Sequence, residues 1–158
     1  MRLEDIDRVF EIAQTLDEAP GWPRDLYVRA LFPGAVPERI ALAAENSEFQ
    51  LVGFLVAVLI PPQAELETIA VAKEAQKQGI ATRLFTEMLA ILSRRQISDV
   101  MLEVRQTNDA ARSFYRSVGF FETGRRPGYY SDPKEDAILL QRSVVSPRTA
   151  PAEGGRTL

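Results

Sequence analysis

Apolar and polar positions change period along the chain, and one change stands out. From Leu66 to Val71 the period is that of a strand, with Leu66, Thr68 and Ala70 on one face and Ile69 and Val71 on the other. From Ile80 it becomes helical. Ile80, Leu84, Met88 and Ile91 line up, while Phe85, Leu89 and Leu92 widen the stripe toward an end near Arg94-Arg95. The polar turn between them, Gln76-Lys77-Gln78-Gly79, holds a single glycine.

The remaining pattern supplies the neighbours. Leu3, Ile6, Val9, Phe10, Ala13 and Leu16 predict an opening amphipathic helix, broken by Ala19-Pro20-Gly21-Trp22-Pro23. A short helix over 25–32 follows, closed by Pro33-Gly34. Strands over 39–45 and 49–60 form a hairpin around Asn46-Ser47, and Pro61-Pro62 leads into the strand at Leu66. After the long helix come a strand over 98–105, a helix over 108–118 stopped by Gly119, and two closing strands over 120–126 and 135–142. The stretch from Pro127 to Pro133 joins those two strands as a loop. The order αα-ββ-βα-βα-ββ predicts a mixed sheet with helices on its faces. From Ser143 the composition turns to Pro, Gly, Thr, Ala and Arg, which predicts a folded domain over 1–142 and a disordered tail over 143–158.

Composition narrows the chemistry. A length of 158 residues suits one domain with a substantial core, and 46% hydrophobic with 26% charged residues is ordinary for a globular protein. Nineteen basic against 22 acidic residues give a net charge of −3, so no general attraction to nucleic acid or membrane is expected. With no cysteine, disulfides, thiolate metal sites and a cysteine nucleophile are excluded. With no histidine, proton transfer falls to carboxylates, tyrosines, lysines or water, and no metal is expected. No apolar run reaches the roughly 20 residues that span a bilayer, so the expected location is cytoplasmic.

Two stretches carry candidate chemistry. A strand feeding a short polar loop into a helix makes an anion site, because the first helical N–H groups lack intrahelical partners and the macrodipole adds positive charge there. The loop fits neither the P-loop nor the dinucleotide-binding glycine pattern. In the strand Val100-Met101-Leu102-Glu103-Val104-Arg105, a carboxylate sits among apolar residues. Glu103 is either an ion-pair partner of Arg105 or a base whose partly apolar surroundings favour proton uptake. Tyr115 borders the buried stripe of its helix, as a rim residue or with its hydroxyl reaching a pocket. Asn108 stands at that helix's N-cap. Trp22 is either an apolar lid on the core or part of the lining of a substrate groove.

Gln76-Lys77-Gln78-Gly79-Ile80-Ala81 after an Ile-Ala-Val strand resembles the acetyl-CoA loop of the GNAT acyltransferases. Leu102-Glu103-Val104-Arg105, Asn108, Phe114-Tyr115-x-x-x-Gly119-Phe120 and Tyr129-Tyr130 followed by Glu135-Asp136-Ala137 resemble the second half of the same core, in particular that of bacterial ribosomal-protein alanine N-acetyltransferases. The resemblance covers roughly 39–142. It implies an α/β (α+β) GNAT fold, a mixed, mostly antiparallel sheet with helices on both faces. The strand that usually precedes the first helix would be short or missing. It also implies direct acetyl transfer from acetyl-CoA, with Glu103 as base and Tyr115 as acid. Ile69, Ala70 and Val71 would pair with the pantetheine arm. Gln76, Lys77, Gln78, Gly79, Ile80, Ala81 and Thr82 would cradle the pyrophosphate, and Asn108 would meet the cofactor from the other side. Tyr129 and Tyr130 would shape the acceptor groove. The implied acceptor is a protein N-terminus starting with alanine, on a small-subunit ribosomal protein. Acetylation of a small-molecule amine, and an acyl-CoA-binding regulatory module without turnover, are the competing expectations.

Overall fold

A computed structural model describes residues 1–16 and 21–144. After a short 3₁₀ turn at Leu3–Asp5 come helix α1 (Ile6–Gln14) and helix α2 (Arg24–Arg29), then strands β1 (Arg39–Glu45), β2 (Leu51–Ile60) and β3 (Gln63–Val71). Helix α3 (Ile80–Arg94), strand β4 (Asp99–Arg105), helix α4 (Asp109–Ser117) and strands β5 (Phe121–Ser131) and β6 (Lys134–Ser143) complete the chain. The six strands lie in one sheet, ordered β1-β2-β3-β4-β6-β5. Its ladders are antiparallel except for β3 beside β4.

Helices cover both faces. Leu84, Phe85, Met88 and Leu92 of α3 pack on Leu55, Ala57, Leu59, Leu66, Val100, Leu102, Ile138 and Leu140, with Phe114, Tyr115 and Val118 alongside. Burial of each such side chain contributes about 1.5–3 kcal/mol, more than any single propensity term in α3. On the opposite face Ile6, Val9, Ile12 and Tyr27 pack on Leu51, Phe54, Val56 and Ala70. Strand β2 runs between the two layers, and its alternate residues feed them in turn.

The strict alternation expected for Leu66, Thr68 and Ala70 does not hold. Ala57 pairs with Leu66 but Val56 pairs with Thr68, so Glu67 is an extra residue bulging from β3. The bulge turns Leu66 toward α3, while Thr68 and Ala70 face α1. Ile69 then packs with the α3 layer. One polar group lies buried at this shift: Thr68 Oγ1 has no hydrogen-bond partner among the described residues.

Further differences come from tertiary context at β3, at the last hairpin and at the end of β6. β3 begins three residues before Leu66, directly after the Pro61-Pro62 turn. The last hairpin is longer than its composition suggests, so Tyr129 and Tyr130 lie within β5 rather than in a connecting loop. Among the described residues no strand precedes α1. The Met1 ammonium instead donates to the Ala41 carbonyl at 3.3 Å, on the outer edge of β1. At the other end β6 runs through Ser143, and Val144 is buried with its N–H on the Ser98 carbonyl at 2.8 Å. Residues 145–158 of the expected tail, and the Ala19-Pro20 part of the expected helix breaker, lie outside the described residues. Among the described residues no helix is long and apolar enough to cross a membrane.

Candidate active site

The parallel ladder between β3 and β4 has three rungs, Gln63–Asp99, Ala64–Val100 and Glu65–Met101. Past them, residues 66–71 pair with β2 alone and residues 102–105 with β6 alone, which leaves a wedge between facing strand edges. Ala72 donates its N–H to Val52 at 2.8 Å. Since peptide groups alternate along an antiparallel strand, Ala70 also turns its polar backbone toward β2, and Ile69 and Val71 turn theirs toward the wedge. Of the three residues expected to pair with an extended ligand, these two have backbone groups on the open edge. The Val71 carbonyl takes the side-chain amide of Gln76 at 3.1 Å. Gln76 therefore ties the loop back to the strand it leaves.

Beyond Gln76 the backbone twice enters left-handed conformations, at Lys77 (φ +61°) and Gly79 (φ +76°). The Gln78 amide donates to the Glu74 carbonyl at 3.3 Å. Ala75, Ile80 and Ala81 anchor the loop on Val52 and Val71. Gly53 permits this close fit, because a Cβ there would meet the Ala70 oxygen at 3.1 Å and Ile80 Cγ2 at 3.2 Å. The first helical bond of α3 runs from Arg83 N–H to the Gly79 carbonyl at 3.0 Å. That leaves the N–H groups of Ile80, Ala81 and Thr82 for an outside acceptor. No acidic residue stands in this first turn to compete with an anion.

Glu103 projects from β4 on the face away from α3, alternating with the buried Val100, Leu102 and Val104. Its partner is not Arg105. Arg105 instead pairs with Glu135 at 3.3 Å and donates to the Asp132 carbonyl at 3.0 Å, while Glu135 also accepts the Thr107 N–H at 2.5 Å. Arg126, on β5, donates to Glu103 Oε1 by reaching across β6. Two strand spacings separate the backbones, about 9.6 Å, a gap that a long arginine can close. Its guanidinium carbon lies 4.3 Å from the Tyr129 ring centroid, as that of Arg105 lies 4.1 Å from Tyr130.

A chain of interacting groups connects Glu103 with Tyr115. Hydrogen bonding to Glu103, then burial, push the Tyr129 phenol above its ordinary value. Burial and the Glu103 charge do the same for Tyr130. Burial, and then Tyr130, raise Tyr115. The Tyr115 ring is held 5.4 Å from Phe114 and 5.5 Å from Phe120, on the α3 side of the sheet. The two groups thus come from opposite faces, and Tyr130 lies between them, subject to the Glu103 charge and itself acting on Tyr115. All three phenols are held protonated at neutral pH.

Asn108 caps α4 by accepting the Ala111 N–H at 2.9 Å. Trp22 is half-buried against Tyr27, ring centroids 5.3 Å apart, and also lines a groove of about 640 Å³ with Leu26, Phe32, Val36, Arg39 and Glu67. Its packing on Tyr27 is that of the expected lid on the core. One group at the site, Arg126, escaped sequence reasoning. Arg126 follows no spacing that points to Glu103, since sheet order brings them together. Glu65, an acidic residue of β3, has its carboxyl raised by burial and by the Glu103 charge.

The sequence model of the Acetyltransferase (GNAT) family matches residues 6–120. A ribosomal protein bS18-alanine N-acetyltransferase of Haemophilus ducreyi is 31% identical over 140 residues, covering 87% of this chain and 92% of that one. The solved ribosomal-protein-S18-alanine N-acetyltransferase of Escherichia coli superposes with a TM-score of 0.79 at 24% identity, covering 95% of each chain. Ard1 of Thermoplasma volcanium superposes with the same score at 28% identity, covering 92% of this chain and 95% of its own. A family match over well more than half its length, on a sheet opened by the wedge, shows that this chain belongs to the GNAT acetyltransferases.

Proposed function

We propose that the enzyme moves the acetyl group of acetyl-CoA to the N-terminal α-amine of a protein beginning with alanine, a small-subunit ribosomal protein, in the cytoplasm. The observation that carries this reading is that Tyr130 feels the Glu103 charge and in turn acts on Tyr115, so one phenol links the two groups across the sheet. The name of the Haemophilus relative supports the choice of acceptor.

The wedge-facing backbone of Ile69 and Val71 suits an extended amide-bearing arm, which would add to β3 as a further strand. Lys77, Gln78, Gly79, Ile80, Ala81 and Thr82 would offer N–H groups to a diphosphate, with Gln76 holding the loop in place and Asn108 at the opposite margin. An α-amine with a pKa near 7.7–8.0 is mostly ammonium at pH 7 and must lose a proton before it can attack. Glu103 takes that proton, directly or through a water. The neutral amine forms the C–N bond as the thioester C–S bond breaks. Tyr115 donates to the departing sulfur and recovers a proton from the amine nitrogen, so amide and thiol are the products. Its raised phenol remains protonated and available as donor through the working pH range. Tyr129 and Tyr130 flank the acceptor.

The test is incubation with acetyl-CoA and two acceptor sets, peptides with different N-terminal residues and small amines such as polyamines, read by mass. A mass gain of one acetyl group on the N-terminus of Ala-initiated peptides is expected. Acetylation of small amines alone overturns the acceptor assignment.

A further inference from the structure

We infer that Arg126 occupies the seat of the acceptor's ammonium, a resting counter-cation that the incoming N-terminus displaces from Glu103. The inference rests on the reading of Glu103 as the group that receives the amine.

The geometry is that of a cover. Arg126 lies against Glu103, yet its side chain is 53% exposed where that of Glu103 is 20% exposed, so the guanidinium stands between the carboxylate and solvent. An amine approaching Glu103 from that side meets a positive charge already in place. The carboxylate is also not alone, because Glu65 and Glu103 interact across the wedge mouth and Arg126 acts on both. Two neighbouring carboxylates favour some cation between them. A ligand that supplies its own ammonium can release Arg126 and keep the charges balanced; a neutral ligand of the same shape cannot.

The backbone permits that release. β5 and β6 lose register between Arg126 and Tyr130, where Pro127, Gly128 and Tyr129 stand opposite Asp136 alone. Gly128 takes φ +60° there and donates its N–H to Asp136 Oδ1 at 2.8 Å. The segment is thus held by side-chain contacts, of Gly128 with Asp136 and of Tyr129 with Glu103, rather than by a ladder. Stacking on Tyr129 gives the guanidinium a partner to keep when it leaves Glu103.

The decisive comparison is binding, by calorimetry at low salt with CoA present, of an Ala-initiated hexapeptide and of the same peptide with a hydroxyl in place of its α-amine. Arg126→Gln should bind the amine peptide about two- to fivefold more tightly than the unmodified enzyme, the size expected for loss of a competing partly exposed ion pair. The hydroxyl peptide should show no gain, and KM for the amine peptide should fall in step with Kd. Arg126→Met, which keeps the alkyl stem, should reproduce the gain. Unchanged or weaker amine-peptide binding in both variants overturns the inference, as does an equal gain for the two peptides. If the unmodified enzyme acetylates peptides but the variants show no gain, this inference alone falls. Absence of peptide acetylation in the unmodified enzyme removes the proposed function instead, and the calorimetric comparison still decides the seat of Arg126.

Discussion

Glu65 and Met101 form the last rung between β3 and β4, and the two strands part immediately beyond them. Two residues later Glu67 bulges out of β3 and reverses which faces the following side chains occupy. The wedge and the bulge are thus adjacent. One opens a strand edge, and the other sets which peptide groups line it.

Glu103→Gln removes the proposed base while keeping size and hydrogen-bonding capacity. Turnover should fall about 10²-fold at pH 7 and partly recover toward pH 9, where the α-amine is already neutral. A pH–rate profile checks this, and an equal loss at every pH rules Glu103 out as base.

Tyr115→Phe keeps the ring contacts with Phe114 and Phe120 and deletes the donor. Turnover should fall about 10²-fold with CoA affinity nearly unchanged. A large loss of affinity, read by calorimetry, would make Tyr115 a binding residue.

Gly79→Ala meets no atom within 4 Å of its new Cβ, so its cost comes from a φ of +76°. That cost is about 1 kcal/mol. A fall in Tm of about 2–4 °C is expected, together with weaker CoA binding as the loop relaxes away from its anion-facing shape.

Thr68→Val replaces a buried hydroxyl that has no hydrogen-bond partner among the described residues by an apolar group of nearly the same shape. Stability should rise by up to about 1 kcal/mol, read as a Tm increase, because the desolvation penalty of the hydroxyl disappears. A destabilised variant would mean that the hydroxyl has a bound water as partner.

Glu65→Gln tests the direction of the Glu65 shift. A raised carboxyl means the folded chain holds the proton more tightly than the unfolded chain does. Its contribution to stability is therefore full below the ordinary glutamate range near 4.3 and is lost as pH rises through the folded value. The glutamine variant should melt about 1–2 °C above the parent at pH 7, a small effect because solvent screens this partly exposed group. The gain should vanish near pH 4. A gain of the same size at both pH values would contradict the assignment.

The chain's own pattern determined much of this protein. Helical spacing from Ile80 to Leu92, the strand limits of β1 and the cap at Asn108 all follow from neighbours within a turn or a strand length, and local physics decides them. The motif around Gln76–Ala81 was legible for the same reason: a strand end, a turn and a helix start each carry their own residues at set places. Tertiary structure decided the rest. The Glu67 bulge exists only through the register of β3 against β2, so no alternation rule applied to β3 alone could show it. Tyr130 became a strand residue because β6 supplied Glu135 as its partner beyond the irregular Pro127–Tyr129 stretch. Arg126 reached Glu103 because β6 lies between their strands, an order that the sheet sets and sequence distance hides.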